Sequence, residues 1–151
     1  MASASKDGTF RVWNTDIQYS LGQEPYLISV GNLDNLKTEP GVLSLSPNGF
    51  TVVIACGREI RVFRADTGQL VENLSTVHES AVTAVKFTSD NSLFISSGDR
   101  HVRLFHNVAN YQISIEKATE QLKFVNAAAH RSRLLDQIKL ATQRLSELGC
   151  M

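Results

Sequence analysis

The sequence predicts a mainly β fold that ends in a helical C-terminal tail, and two observations carry that prediction. The first is a recurring pattern in which an apolar run, a tight turn and a second short strand close on Arg, an aliphatic residue and an aromatic. It appears as Arg11-Val12-Trp13, Arg61-Val62-Phe63 and Arg103-Leu104-Phe105, with the aromatics 50 and 42 residues apart. The second is a change of period: from about Tyr111 to Leu148 there is neither Pro nor Gly, and apolar residues step by three and four. Short strands repeating at this length are the signature of propeller blades. The chain supplies about two and a half of them, where propellers have roughly four to eight.

Each element has its own signal. Residues 1–13 read as two strands joined at Asp7-Gly8, so the first blade opens halfway through. Such a start reads as a fragment, an alternative start or a truncated gene model. Asn14 to Glu24 is polar and reads as a loop. Pro25 to Val30 is an outer strand, with Pro at the first position as an edge tolerates. Gly31 to Gly41 is a long connection. Val42 to Ser46 alternates apolar and serine, the period of a half-buried strand. Pro47-Asn48-Gly49 is a hairpin turn. Phe50 to Cys56 is apolar and β-branched throughout, which predicts a strand buried on both faces. Ile60 to Phe63 and Leu70 to Leu74 follow as strands around the Asp66-Thr67-Gly68 turn. The third blade runs from His78 to Asn107, with Val82, Val85 and Phe87 in its innermost strand and Gly98-Asp99 as its second turn. No fourth strand is predicted there. The division is therefore a partial propeller over 1–107 and a helical tail over 108–151.

In the tail, Ile115, Ala118, Leu122 and Val125 form one stripe, and Leu134, Ile138, Ala141, Leu145 and Leu148 another. Asn126 to Ser132 breaks the register, which predicts two helices or one kinked helix. Gly149 suits the residue after a helix C-cap. The stripes serve either an amphipathic tail packed on the propeller edge or a seam for another helix, in the same protein or in a partner.

Composition narrows the function classes. The chain is 42% hydrophobic and 20% charged, a globular balance, and its formal net charge is +0. Neutrality offers no electrostatic case for nucleic acid or an anionic membrane. His130, Arg131 and Arg133 read as a solvated helix face. Cys56 lies in an apolar strand and Cys150 near the chain end, so a disulfide and a metal site are both unexpected. This usage suits a reducing, cytoplasmic compartment. No apolar run near the start reads as a signal peptide or membrane helix.

These blade residues resemble the WD-repeat family. Blades there use a His before the first strand, a Ser or Thr in the second, an Asp in the turn and a Trp in the third. Hydrogen bonds among the four lock the strands together. The resemblance implies that role for His78, Ser97, Asp99 and Phe105 in the third blade, and for Ser5, Asp7 and Trp13 in the first. Phe105 has no N–H, so the last bond of its set is missing. In the second blade Ala55, Gly57 and Phe63 occupy the places, the network is absent, and packing alone must hold the strands. A narrower likeness, to a membrane-tethered branch of the family, covers nearly the whole length and corresponds to that branch's C-terminal part. It is closest at Ser3 to Thr9, Pro25 to Leu27, Leu45 to Asn48 and Gly98 to Asn107. It implies blades in the cytosol on the cytosolic face of the endoplasmic reticulum, held there by an N-terminal helix that this chain does not contain. It also implies a part in the unfolded protein response through protein contacts, a stress-signalling kinase among them.

Chemistry is sparse. Ser97, His78 and Asp99 suggest a hydrolase triad by type, but no Gly-x-Ser-x-Gly elbow accompanies them. They read better as a structural network. His101 and His106 flank a strand without completing a ligand set. Glycines sit singly in turns, so there is no phosphate loop. Arg11, Arg61 and Arg103 recur at one blade position, where they either cover apolar surface with their stems or contact acidic partner segments. The expectation is a non-catalytic scaffold that binds other proteins, with no cofactor and no metal. The rival is an oligomerisation module acting through the helices. Apolar surface is left open wherever a repeat lacks its neighbour, so the isolated chain is expected to be marginal or to pair.

Overall fold

The computed structural model describes residues 1–18, 21–33 and 40–150. The chain divides into two compact units, Met1–His106 and Asn107–Met151.

The first unit consists of three small antiparallel sheets. Sheet 1 holds β1 (Ala2–Ala4), β2 (Thr9–Asn14) and β3 (Tyr26–Asn32) in the order β1-β2-β3. Sheet 2 holds β4 (Pro40–Leu45), β5 (Thr51–Cys56), β6 (Glu59–Arg64) and β7 (Leu70–Leu74) in the order β4-β5-β6-β7. Sheet 3 holds β8 (Ala84–Phe87), β9 (Leu93–Gly98) and β10 (His101–His106) in the order β8-β9-β10. The result is a partial propeller, mainly β, as the repeats predict.

Register makes the sheets equivalent. Ser3 pairs Arg11, Ile54 pairs Arg61 and Ser96 pairs Arg103. Turns repeat as well. Between β4 and β5, Ser46 N–H donates to Thr51 O and Gly49 takes φ +71. Between β8 and β9, Thr88 N–H donates to Leu93 O and Asn91 takes φ +62. Asn48 N–H donates to Asn91 Oδ1 at 3.0 Å, so the two turns are tied across the sheets.

All six residues of β5 are buried, as its composition predicts. Alternation sends Val52, Ile54 and Cys56 to one face and Val53 and Ala55 to the other. The first face, with Phe63, packs against Phe10 and Val12 of sheet 1 and Leu33 just after it. The Phe10 and Phe63 rings meet at 4.6 Å and 54°. Burying one such side chain contributes about 1.5–3 kcal/mol. Sheets 1 and 2 also touch through backbone. A Cβ on Gly31 would lie 2.6 Å from Gly68 O, and one on Gly68 would lie 2.5 Å from Val30 O. Ser29 Oγ donates to Ala65 O at 2.7 Å across the same contact. On the far side of sheet 2, β4 and β5 pack on β8.

Several boundaries differ from the sequence reading. β3 runs on to Asn32, because Phe10 and Thr9 of β2 extend the ladder opposite Gly31 and Asn32. The rest of the expected connection, 34–39, lies outside the described residues, as do 19 and 20 of the expected loop. Val82 precedes β8 rather than lying in it; its N–H donates to Gly57 O at 2.8 Å. The last turn is Asp99-Arg100, not Gly98-Asp99. Gly98 still pairs with His101, so the two-residue loop follows it. Asp99 and Arg100 have φ +47 and +65, the positive pair a type I′ hairpin demands.

The second unit is a pair of packed helices, α1 (Val108–Phe124) and α2 (Ala128–Glu147). Asn107 caps α1 through Oδ1, which accepts from Asn110 N–H at 3.3 Å. Arg131 Nη1 donates to the carbonyls of Leu122 and Val125 at 3.0 and 3.3 Å, so one member of the basic cluster closes the end of α1. Gly149, at φ +69, donates to Ser146 O while Cys150 N–H donates to Leu145 O, a Schellman closure of α2. In α2, Leu134, Ala141 and Leu145 are buried along the expected stripe. In α1 the buried residues are Ala109, Asn110, Ile113 and Ala118. The stripe through Ile115 and Leu122 shares only Ala118 with them, because the helix starts at Val108, earlier than its Tyr111 sequence signal.

Candidate functional site

The most ordered polar constellation lies in sheet 3, where the loop before β8 meets the β9–β10 turn. His78 is buried and bridges two partners. Its Nδ1 lies 2.7 Å from Asp99 Oδ1 and its Nε2 lies 2.8 Å from Ser96 Oγ. A neutral imidazole that donates from Nδ1 and accepts the Ser96 hydroxyl at Nε2 satisfies all three groups. Glu79 N–H donates to Asp99 Oδ2 at 2.7 Å, and Asp99 N–H donates to Ser80 Oγ at 2.9 Å. Arg103 Nη1 donates to Asp99 Oδ2 at 3.2 Å and also lies beside His78 Nδ1. Burial pushes the Asp99 carboxyl up. The hydrogen bonds from Glu79 N–H, His78 and Arg103 outweigh it and hold the group well below the usual carboxylate range.

The serine in this network is Ser96 and not Ser97. Successive strand residues point to opposite faces, and Ser97 Oγ instead pairs with Thr83 Oγ1 at 3.0 Å. Phe105, in the aromatic place, stacks on Phe94 at 5.0 Å and 15°. Gly98 is a further member that residue types alone do not reveal. A Cβ there would sit 3.0 Å from the His78 ring, so the missing side chain makes room for the imidazole.

Sheet 1 carries a sparser version. Trp13 Nε1–H donates to Ser3 Oγ at 3.4 Å, whereas Ser5 Oγ accepts from Asp7 N–H at 3.3 Å inside the turn. Ser5 therefore orders the turn, and Ser3 takes the strand-locking place, as register with Ser96 requires. Asp7 accepts from both Thr9 Oγ1 and Thr9 N–H, which pull its pKa down. In sheet 2 register puts Ile54, not Ala55, at the serine place. It is fully buried in the apolar contact with sheet 1, so packing replaces the bond.

The recurring arginines each reach back to the acid at their own hairpin. Arg11 lies 4.0 Å from Asp7, Arg61 3.4 Å from Glu59, and Arg103 3.2 Å from Asp99. A groove of ≈ 420 Å³ opens beside sheet 1, with Trp13, Asn14, Ile28, Leu45 and Asn48 in its walls. Among the described residues no group of three or more His, Cys, Asp or Glu side chains is placed to hold a metal. Nor is any helix among them long and apolar enough to cross a membrane.

Antiparallel sheets packed in series, one of four strands and two of three, together with the buried His–Ser–Asp lock define a partial WD-type β-propeller architecture. Residues 68–106 match the family described as WD domain, G-beta repeat. The β-propeller domain of Cps50 (Swd1) from Myceliophteria thermophila superposes with a TM-score of 0.56 at 13% identity, covering 70% of this chain and 36% of that one. In sequence the chain is similar to transducin beta-like protein 2. It is 35% identical to the Mus musculus protein over 151 residues and 34% identical to the Homo sapiens protein over 152 residues. All of this chain is covered in both cases, and it spans about a third of each relative, 34% of its length. WD repeats typically mediate protein–protein interaction, and WD propellers are generally non-catalytic scaffolds.

Proposed function

We propose that the chain is a non-catalytic WD-repeat scaffold that holds other proteins, with residues 1–107 as a partial propeller and 108–151 as a helical tail. One observation supports this best: the Ser96, His78 and Asp99 relay, which has the residue types of a hydrolase, is closed inside the sheet. Ser96 Oγ has no route to substrate, since Ser96 is 0% exposed. The residues Ser96, His78 and Asp99, with Phe105, Ser3, Asp7 and Trp13 in their several sheets, act structurally by tying strands to turns. What faces outward is loops, turns and strand edges on a rigid base, the usual place for recognition.

The likeness to transducin beta-like protein 2 supports a finer reading. Here the partners are components of endoplasmic-reticulum stress signalling, a kinase among them, met at the cytosolic face of that membrane. The test is direct binding between purified chain and the cytosolic part of a stress-signalling kinase, followed by interferometry. Binding that Asn14→Ala or Asn48→Ala in the groove weakens, with His78→Ala acting only through stability, supports the reading. No binding to the kinase with the fold intact removes the kinase assignment. Hydrolysis of ester or peptide probes that is lost in Ser96→Ala would remove the scaffold assignment itself.

A second reading has its own observation. Phe124, Leu135 and Leu140 stand exposed at 84%, 53% and 62%, so the helices also present apolar surface. An assembly role for the tail predicts that Leu135→Asp with Leu140→Asp abolishes self-association and leaves kinase binding unchanged.

A further inference from the structure

The formal net charge of +0 hides an uneven distribution in the second unit. Along their bodies both helices carry charges of mixed sign: Glu116, Lys117 and Glu120 in α1, and Asp136, Lys139 and Glu147 in α2. Between Glu120 and Asp136 the chain contains no Asp or Glu, while it contains Lys123, Arg131 and Arg133, with His130 among them. This acid-free stretch covers the end of α1, the link 125–127 and the first turns of α2. Packing of the two helices therefore gathers its cations around one apex.

The apex itself is apolar and open to solvent. Phe124, the last residue of α1, is 84% exposed, the largest value for any large hydrophobic side chain among the described residues. Ala127, Ala128 and Ala129, also exposed, follow it around the bend. Unsatisfied backbone carbonyls at a helix end would oppose contact with an apolar phase. Here the carbonyls of Leu122 and Val125 accept from Arg131 Nη1 at 3.0 and 3.3 Å, and Gln121 O accepts from Val125 N–H at 3.1 Å. Arg131 thus satisfies the bend and keeps its positive charge beside it.

An apolar tip inside a basic collar matches a surface with an anionic outer layer and a hydrocarbon interior. We propose that the α1–α2 apex docks on anionic phospholipid membrane. Phe124 enters the boundary between headgroups and acyl chains, and Lys123 and Arg133 meet the headgroups, with the charge of Arg131 adding to theirs. A protein partner would need a pocket for this protruding ring, whereas a bilayer accepts it without one. The contact is peripheral and not a span, since no described helix is long and apolar enough to cross a membrane. It lies within the helical unit and does not rest on the scaffold reading.

The test is co-sedimentation of the full chain with sucrose-loaded vesicles of phosphatidylcholine, alone or mixed with phosphatidylserine. Binding is expected only with phosphatidylserine present, half of the chain being bound at roughly 0.1 mM accessible lipid, the strength of a single acyl anchor. It should weaken as salt is raised, because exposed charges are screened. Phe124→Ala, and Lys123→Ala with Arg133→Ala, are each expected to weaken binding at least about tenfold. Phe124→Leu, which keeps an apolar side chain, is expected to retain most of it. All three side chains are exposed, so thermal unfolding of the variants should match that of the wild-type chain. No binding up to roughly 5 mM lipid overturns the proposal. So does equal binding to neutral vesicles, or binding that both alanine variants leave intact. Capture of polyglutamate through the same cations, without vesicle binding, assigns the collar to an acidic protein segment and overturns the lipid assignment.

Discussion

Sheets 2 and 3 reach the same architecture by different physics. Sheet 2 has four strands and a central strand buried on both faces, and an isoleucine stands where the locking serine would be. Sheet 3 has three strands and one open face, and a buried histidine ties its turn, its middle strand and the loop ahead of it. Where neighbours cover both faces, dispersion and apolar burial hold the strands without directional bonds. Where only one face is covered, a polar network supplies the order that packing does not. Such a network specifies geometry strongly, but only when every member is satisfied.

The contrast can be broken most forcefully from the apolar side. Phe63→Ala removes the ring that joins sheets 1 and 2 and is expected to destabilise the chain by about 3–5 kcal/mol in denaturant unfolding. A loss below about 1 kcal/mol would mean that sheet 2 does not depend on this contact. On the polar side, His78→Ala strands Ser96 and opens a void beside Gly98, with an expected cost of about 1–3 kcal/mol. The loss should show first as faster hydrogen exchange in β9 and β10, with β5 unchanged. Equal acceleration in both sheets would contradict the division drawn here.

Acid separates the two sheets next. The Asp99 carboxyl is held below its unfolded value of about 3.9. Asp90 is pulled down to about 2 by the Ser92 and Thr88 hydroxyls and Ser92 N–H. A folded-state pKa below the unfolded one contributes stability that is complete above about pH 4. That contribution is lost as pH falls through the folded values. Sheet 3 is therefore expected to open before sheet 2 between about pH 4 and pH 2, and Asp99→Asn should flatten that pH dependence in amide exchange. Simultaneous opening of both sheets would count against it. The smallest expected effect sharpens the comparison from the other direction. Phe105→Trp gives sheet 3 the indole N–H that sheet 1 directs at Ser3. With Ser96 in the matching place, a gain of about 0.5–1.5 kcal/mol is expected in thermal unfolding.

How far the sequence reveals this depends on what kind of signal each feature leaves. The strands, the two helices and the buried β5 were legible because apolar periodicity and turn residues act locally. His78 and Asp99 were legible as types at a familiar spacing. The choice between Ser96 and Ser97 was not, because two adjacent serines differ only in which face the register gives them. Ser3 was hidden behind Ser5 for the same reason. Gly98 reads as a turn glycine until the ring packed over it is seen, and Asp99-Arg100 does not look like a type I′ loop, since neither residue is Gly or Asn. The start of α1 was hidden in Asn107 and Val108, which continue the strand's composition until the cap bond forms.

Asp99 also sits inside the two-residue loop that joins β9 to β10, so a single residue both bends the backbone and gathers His78, Glu79 and Arg103. Hairpin closure, an event of about 1–10 μs, thus assembles the anchor to which the upstream segment must attach. The chemistry of that one bend couples a local kinetic step to a long-range one.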